Sequence, residues 1–282
     1  MRRTDLGFTL VEMPIVLVVI GLVAGGVLIG REMIHNAELV RTQRQYTEIL
    51  SAIHTFQNKY NCLPGDCANA TTFFGNFASC PPSLSAYPHS SSGAALYNKG
   101  TTEPLTCNGD GDGKIDAKNT LFEMLTIWQQ LGAAGLISGA YTGGVPPAGA
   151  LISPGINCPP TSVPSRCWVI FDGDNSVLFS SPSGQTPVVI VPTSLGTVMA
   201  LAQSLGGALG AVFTPTEAAS YDGKYDDGSP VSGNILIANG SHHCTDGNES
   251  ASIAANASAH YTASDPAFKD NNSCNLILRA GF

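Results

Sequence analysis

Charge is what this chain lacks most. Asp, Glu, Lys and Arg make up only 12% of its 282 residues, against 43% hydrophobic residues. Lys and Arg number 13 against 21 Asp and Glu, for a formal net charge of -8. Nucleic-acid binding needs clustered cations to neutralise phosphates, so this balance argues against it. The basic residues that do cluster, Arg31, Arg41 and Arg44, lie just past an apolar run. Catalytic signatures are missing as well. There is no G-x-S-x-G elbow, no H-E-x-x-H helix and no glycine-rich phosphate loop after a strand. No internal repeat is visible. The expectation is a protein that is not an enzyme.

Glycine and proline are abundant, at 31 and 18 residues, which fits a folded, loop-rich domain rather than a disordered chain. The eight cysteines suit four disulfides and an oxidising compartment. Zinc is the rival use, but no C-x-x-C spacing supports it. Eight cysteines allow 105 connectivities. Pairing sequence neighbours gives Cys62 with Cys67, Cys80 with Cys107, Cys158 with Cys167, and Cys244 with Cys274.

The amino-terminal stretch carries the strongest signal. A short polar leader, Arg2-Arg3-Thr4-Asp5-Leu6-Gly7, is followed by Phe8-Thr9-Leu10-Val11-Glu12. Met13 to Gly30 then contains no charge and is long enough as a helix to cross the ~30 Å hydrocarbon core. A carboxylate at the edge of such a run is costly in lipid, so Glu12 needs a partner. A secretory signal peptide would be cut after its apolar run. Here the only plausible processing site precedes the run, so the apolar helix stays in the product. Gly21, Gly25, Gly26 and Gly30 weaken an isolated helix but allow close approach of neighbouring helices.

From Arg31 to Tyr60 the pattern becomes amphipathic. Ile34, Ala37, Val40, Ile49, Ile53 and Phe56 recur mostly three or four residues apart. One helix is predicted from about Phe8 to Tyr60, stopped by Pro64-Gly65. The organisation is then a leader over 1–7, a membrane or filament-core helix over 8–30, its amphipathic continuation over 31–60, and a disulfide-rich domain over 61–282. Within that domain a helix is predicted from Thr120, as N-cap, to Leu136. Strands are predicted at Trp168–Phe171, Val177–Phe179, Val188–Val191 and Asn234–Ala238. Leu195 to Leu205 reads as a further helix. Asp222-Gly223 and Asp227-Gly228-Ser229-Pro230 read as turns.

Asn108-Gly109-Asp110-Gly111-Asp112-Gly113-Lys114-Ile115-Asp116 matches the first nine positions of a calcium loop. Side-chain oxygens of Asn108, Asp110, Asp112 and Asp116, with the Lys114 carbonyl, are the candidate ligands. The twelfth position is Asn119 rather than a bidentate Glu. Asp222, Asp226 and Asp227 form a second acidic stretch, read as a plain turn. His242-His243 beside Cys244 read as exposed loop residues. Asn69-Ala70-Thr71, Asn248-Glu249-Ser250 and Asn256-Ala257-Ser258 are weak glycosylation sequons.

Gly7-Phe8-Thr9-Leu10-Val11-Glu12 and the apolar run behind it resemble the amino-terminal motif of type IV prepilins and type II secretion pseudopilins. The match covers roughly residues 1–36. The resemblance implies cleavage after Gly7 by a membrane prepilin peptidase and methylation of the new Phe8 amine. It also implies that Glu12 pairs with the Phe8 ammonium of a neighbouring subunit. The implied fold is α+β: a long amino-terminal helix laid against a globular domain with an antiparallel sheet. The implied role is a structural subunit of a type IV pilus-like filament, made of copies of this chain or related pilins. The precursor would sit in a bacterial inner membrane and the product in an extracellular or periplasmic filament. A minor pseudopilin of type II secretion and a pilin-anchored adhesin are the alternatives. The chain departs from the family in its length, in Pro14, and in having Ile29 near the place where many major pilins carry Pro.

Overall fold

A computed structural model of the chain describes residues 12–76, 105–115, 122–144, 152–161, 165–172, 195–205, 208–237, 244–246, 259–267 and 273–282. The first element is a long helix, α1 (Glu12–Tyr60). Its carboxyl end follows from local chemistry. Asn61 adopts φ 57°, a left-handed conformation that Asn tolerates, and still donates its N–H to the Gln57 carbonyl at 2.8 Å. Pro64 follows shortly after. The chain divides into two compact units, Met1–Arg44 and Gln45–Phe282.

In the first unit the large apolar side chains of α1 stand in the open, Leu17 at 69% and Leu22 at 72% exposure. Ile34, Ala37 and Val40 are exposed as well, so the predicted amphipathic stripe is not a buried face there. Among the described residues no helix is long and apolar enough to cross a membrane. The transmembrane expectation for 8–30 is therefore not met within the described residues.

The globular unit is α+β. Its remaining elements are α2 (Ala70–Phe74), α3 (Phe122–Ala133), β1 (Arg166–Asp172), β2 (Thr197–Leu205), β3 (Ala208–Gly210), α4 (Pro215–Tyr225), β4 (Ile235–Ile237) and β5 (Leu276–Arg279). The strands form one antiparallel sheet in the order β1-β2-β5-β4, with β3 also paired to β2. From Cys167 to Asp172 the residues of β1 are all buried, with no alternation, so both faces of that strand are covered. The last part of α1 covers one face. Tyr46 lies 6.1 Å from the Trp168 ring, and its hydroxyl donates to the Arg279 carbonyl of β5 at 2.6 Å. Ile49, Ala52, Ile53 and Phe56 are buried along the same stretch. At about 25 cal/mol per Å², each of the larger of these contributes roughly 2–3 kcal/mol.

The strand predictions at Trp168–Phe171 and Asn234–Ala238 correspond to β1 and β4. The helix predicted over Leu195 to Leu205 is instead β2. Val198, Met199, Ala200, Leu201 and Ala202 form one apolar run, which suits a buried strand as well as a helix. Pairing along both edges of β2 overrides the helix preference of Met, Ala and Leu. Asp222-Gly223 lies inside α4 rather than in a turn. That helix starts with a full capping box: the Thr214 hydroxyl accepts from Glu217 N at 3.2 Å, and Glu217 Oε2 accepts from Thr214 N at 2.7 Å. The predicted helix 120–136 appears as α3, which ends three residues earlier than predicted; residues 120 and 121 lie outside the described residues. The predicted strands at Val177–Phe179 and Val188–Val191, and the N-cap Thr120, lie outside the described residues.

Three expected disulfides are present: Cys62–Cys67, Cys158–Cys167 and Cys244–Cys274. Cys107 is disulfide-bonded too. The Cys80 end of its expected pair lies outside the described residues.

Candidate functional sites: the amino-terminal acid and two acidic loops

Gly7 and Phe8 lie outside the described residues. Glu12 is described. It stands exposed as the first described residue of α1.

The richest polar site is built where α1 ends. The Cys62–Cys67 bridge closes a tight loop, and Gly65 within it has φ 94°. A Cβ on Gly65 would meet the Glu123 carbonyl oxygen at 2.7 Å, so only glycine fits there. The Gly65 N–H donates to Gln130 Oε1 at 2.7 Å. The same side chain donates from Nε2 to the Cys107 carbonyl at 3.3 Å. Gln130 is fully buried, so one amide from α3 clamps two loops to each other. Next to it, Gln129 accepts from the Thr106 hydroxyl at 3.0 Å and donates to the Thr142 carbonyl at 3.2 Å.

This frame thrusts Asp66 into the glycine-rich loop. Its Oδ1 accepts from Gly111 N at 2.6 Å and Asp112 N at 3.2 Å, and its Oδ2 accepts from Gly113 N at 2.9 Å. Successive backbone N–H groups thus converge on one carboxylate, an anion-holding concavity. The approach is close: a Cβ on Gly109 would lie 2.3 Å from the Asp66 carbonyl carbon. Asp110 and Asp112 each turn back on the loop, accepting from Asp112 N at 3.1 Å and Lys114 N at 2.9 Å. Carboxylate oxygens of Asp66, Asp110 and Asp112 all lie within 4.8 Å of one another, a group that could hold a metal ion. Burial pushes the Asp66 carboxyl up to about 6. The Gly113 and Gly111 N–H groups oppose that rise, and nearby Asp110 adds to it. A proton or a cation relieves the crowding of like charge.

The sequence-predicted ligands are only partly brought together. Asp110 and Asp112 share the cluster. Asn108 instead accepts from Thr71 N at 2.9 Å and ties the loop to α2. Lys114 lies at the exposed rim. Asp116 and Asn119 lie outside the described residues. Ile115, the apolar position of the motif, is fully buried, and its carbonyl accepts from Asp172 N at 2.8 Å. The loop is thereby hooked to the end of β1. Sequence reasoning missed Asp66. The available signal was its place inside Cys62-Leu63-Pro64-Gly65-Asp66-Cys67, a stapled turn that must point its acid somewhere.

The second acidic stretch also converges. Asp222, Asp226 and Asp227 bring their oxygens within 4.8 Å of one another and could hold an ion as well. Their hydrogen bonds serve the fold. Fully buried Asp222 accepts from the Tyr261 hydroxyl at 2.7 Å and from Gly228 N at 3.2 Å. Asp226 accepts from Asn234 N and from Ile235 N, at the start of β4. Asp227 accepts from Ser229 N at 2.9 Å and the Ser232 hydroxyl at 2.6 Å. Burial pushes Asp222 up to about 6. The Ser232 hydroxyl, followed by Ser229 N, holds exposed Asp227 below the usual range. His242, His243, Asn248 and Asn256 lie outside the described residues.

Fold and sites together define a disulfide-stapled α+β domain that continues from a long, apolar-fronted helix. No known protein family, curated protein or solved structure matches the chain.

Proposed function

We propose that the chain is a structural, non-catalytic subunit of a type IV pilus-like filament, cut after Gly7, methylated on Phe8 and assembled through its amino-terminal helix. The observation that supports this most is the exposure of large apolar side chains all around the first half of α1, behind the Gly7-to-Glu12 motif. A helix that is apolar on every side needs cover from lipid or from other helices. Lipid of a bacterial inner membrane covers the precursor, and neighbouring subunits cover it in an extracellular or periplasmic filament. Around Gly21, Gly25 and Gly26 an added Cβ would meet nothing within 4 Å, so a neighbouring helix can approach there closely. Glu12 then pairs with the Phe8 ammonium of the adjoining subunit. A charge pair in a dry core sets register between subunits more than it adds net stability.

Two variants test the reading. Gly7→Leu blocks processing, so its intact mass retains the leader; a normally shortened product would sink the cleavage step. Glu12→Ala is processed but yields few filaments, and wild-type filament yield would remove Glu12 from assembly. For the Asp66, Asp110 and Asp112 cluster, calcium is the proposed ion, because crowded carboxylates with loop oxygens suit a hard cation and an oxidising exterior supplies it. An identical melting midpoint with calcium and with chelator would count against it.

A further inference from the structure

Among the described half-cystines, Cys62 alone reaches solvent, half-buried just past the end of α1. Cys67, Cys107, Cys158, Cys167, Cys244 and Cys274 are all buried. A disulfide is broken by a thiolate that must reach one of its sulfurs, so access decides which bridge is attacked and at which end. Cys62–Cys67 also closes the smallest of the three described rings, with sequence separation 5 against 9 and 30. A small ring removes the least chain entropy from the open form, so this bridge resists opening least.

The bridge holds Asp66 in place. Cys62 follows directly on Asn61, whose N–H is fixed to the Gln57 carbonyl of α1 at 2.8 Å. Cys67 grips the acidic loop itself, its carbonyl accepting from Gly109 N at 3.0 Å. Asp66 stands between the two and takes the N–H groups of Gly111, Asp112 and Gly113. With the bridge open, Gly65 keeps its bond to Gln130, so the freed part of the ring is Asp66 and Cys67.

We propose that Cys62–Cys67 is a redox switch that sets the grip of Asp66 on the acidic loop. A thiolate of a dithiol reductant attacks Cys62 Sγ. The new S–S bond forms as the Cys62–Cys67 bond breaks, and the electron pair leaves on Cys67 Sγ. The second thiolate of the reductant then displaces Cys62, which leaves two protein thiols and an oxidised, cyclic reductant. Released Cys67 takes up a proton. Its sulfur lies 3.1 Å from Asn69 Oδ1, an acceptor that the bridged sulfur has no hydrogen to satisfy and the free thiol does. Buried Cys158–Cys167 and Cys244–Cys274 stay closed and keep the sheet assembled. The switch goes beyond the filament reading and needs no bound cation.

The test treats the full chain, in detergent with chelator present, with about 1 mM dithiothreitol, followed by alkylation and peptide mass spectrometry. Cys62 and Cys67 take label at least about tenfold faster than Cys158, Cys167, Cys244 or Cys274. Hydrogen exchange at Gly111, Asp112 and Gly113 then speeds up roughly tenfold or more, while the amides of β2 keep their protection. Reoxidation restores slow exchange. A chain with Cys62→Ser and Cys67→Ser exchanges in the loop like the reduced protein and still melts cooperatively. The proposal is overturned if a buried pair is labelled as fast as Cys62, or if Cys62 takes no label. It is equally overturned by unchanged loop exchange after selective reduction, by exchange that stays fast after reoxidation, or by slow loop exchange in the double variant.

Discussion

Stability of the globular unit falls as pH rises from 5 to 7.5 when cations are withheld. Asp66 and Asp222 are both buried carboxyls raised from an ordinary 3.8 to about 6. A raised folded-state pKa means that the folded form holds its proton where the unfolded form has released it. The contribution of each group is therefore full below about 3.8 and is lost as pH climbs to about 6. At about 1.4 kcal/mol per pKa unit, each carboxyl accounts for a loss of roughly 1.4 kcal/mol between pH 5 and 7.5. Two such groups give about 3 kcal/mol, and residual solvent screening lowers the figure to about 1–3 kcal/mol. For a unit of this size that corresponds to a drop in Tm of roughly 3–10 °C. The assay is near-UV circular dichroism of the full chain in detergent with chelator present, at half-unit pH steps. Asp66→Asn and Asp222→Asn each flatten the profile by about half. A flat or rising midpoint over this range would refute the reasoning, since it would mean that neither acid carries a strained charge.

Three further outcomes follow from particular contacts. Gly109→Ala drives a Cβ into the Asp66 backbone. It costs roughly 1–3 kcal/mol in denaturant midpoints and sharpens proteolysis in the loop around Asp110, whereas Gly113→Ala, open in space but at φ 87°, costs less. Replacing Cys244 and Cys274 by Ser opens a ring of sequence separation 30 and lowers stability by about 3–4 kcal/mol in urea melts. Thr214→Ala removes one half of a capping box and costs about 1 kcal/mol, which Thr214→Ser largely restores.

The legibility of the structure followed the range of the forces involved. Features written in local chemistry were open to reading: the end of α1 before Pro64, β1 and β4 as short apolar strands, and neighbour-paired disulfides. The capping box at Thr214 was equally local, yet Asp222-Gly223 drew attention as a turn, and α4 was missed. Leu195 to Leu205 failed for a different reason. Its apolar run has no period that separates helix from strand, and its partners lie at residues 166–172 and 276–279.

The acidic loop shows the same division within one site. The sequence alone determined that oxygens alternate with glycines from Asn108 to Lys114, because side-chain type and spacing are local properties. It also determined that an uncharged apolar run from Met13 to Gly30 follows soon after a short polar stretch ending in Gly7. Only the tertiary structure decided that Asp66, more than forty residues away, enters the loop and takes the N–H groups of Gly111, Asp112 and Gly113. The same holds for a cleft lined by Gln45, Tyr141 and Trp168 among others, whose walls come from α1, two loops and β1. Such sites arise when packing brings distant segments together, and no pattern along the chain encodes which distant segments will meet.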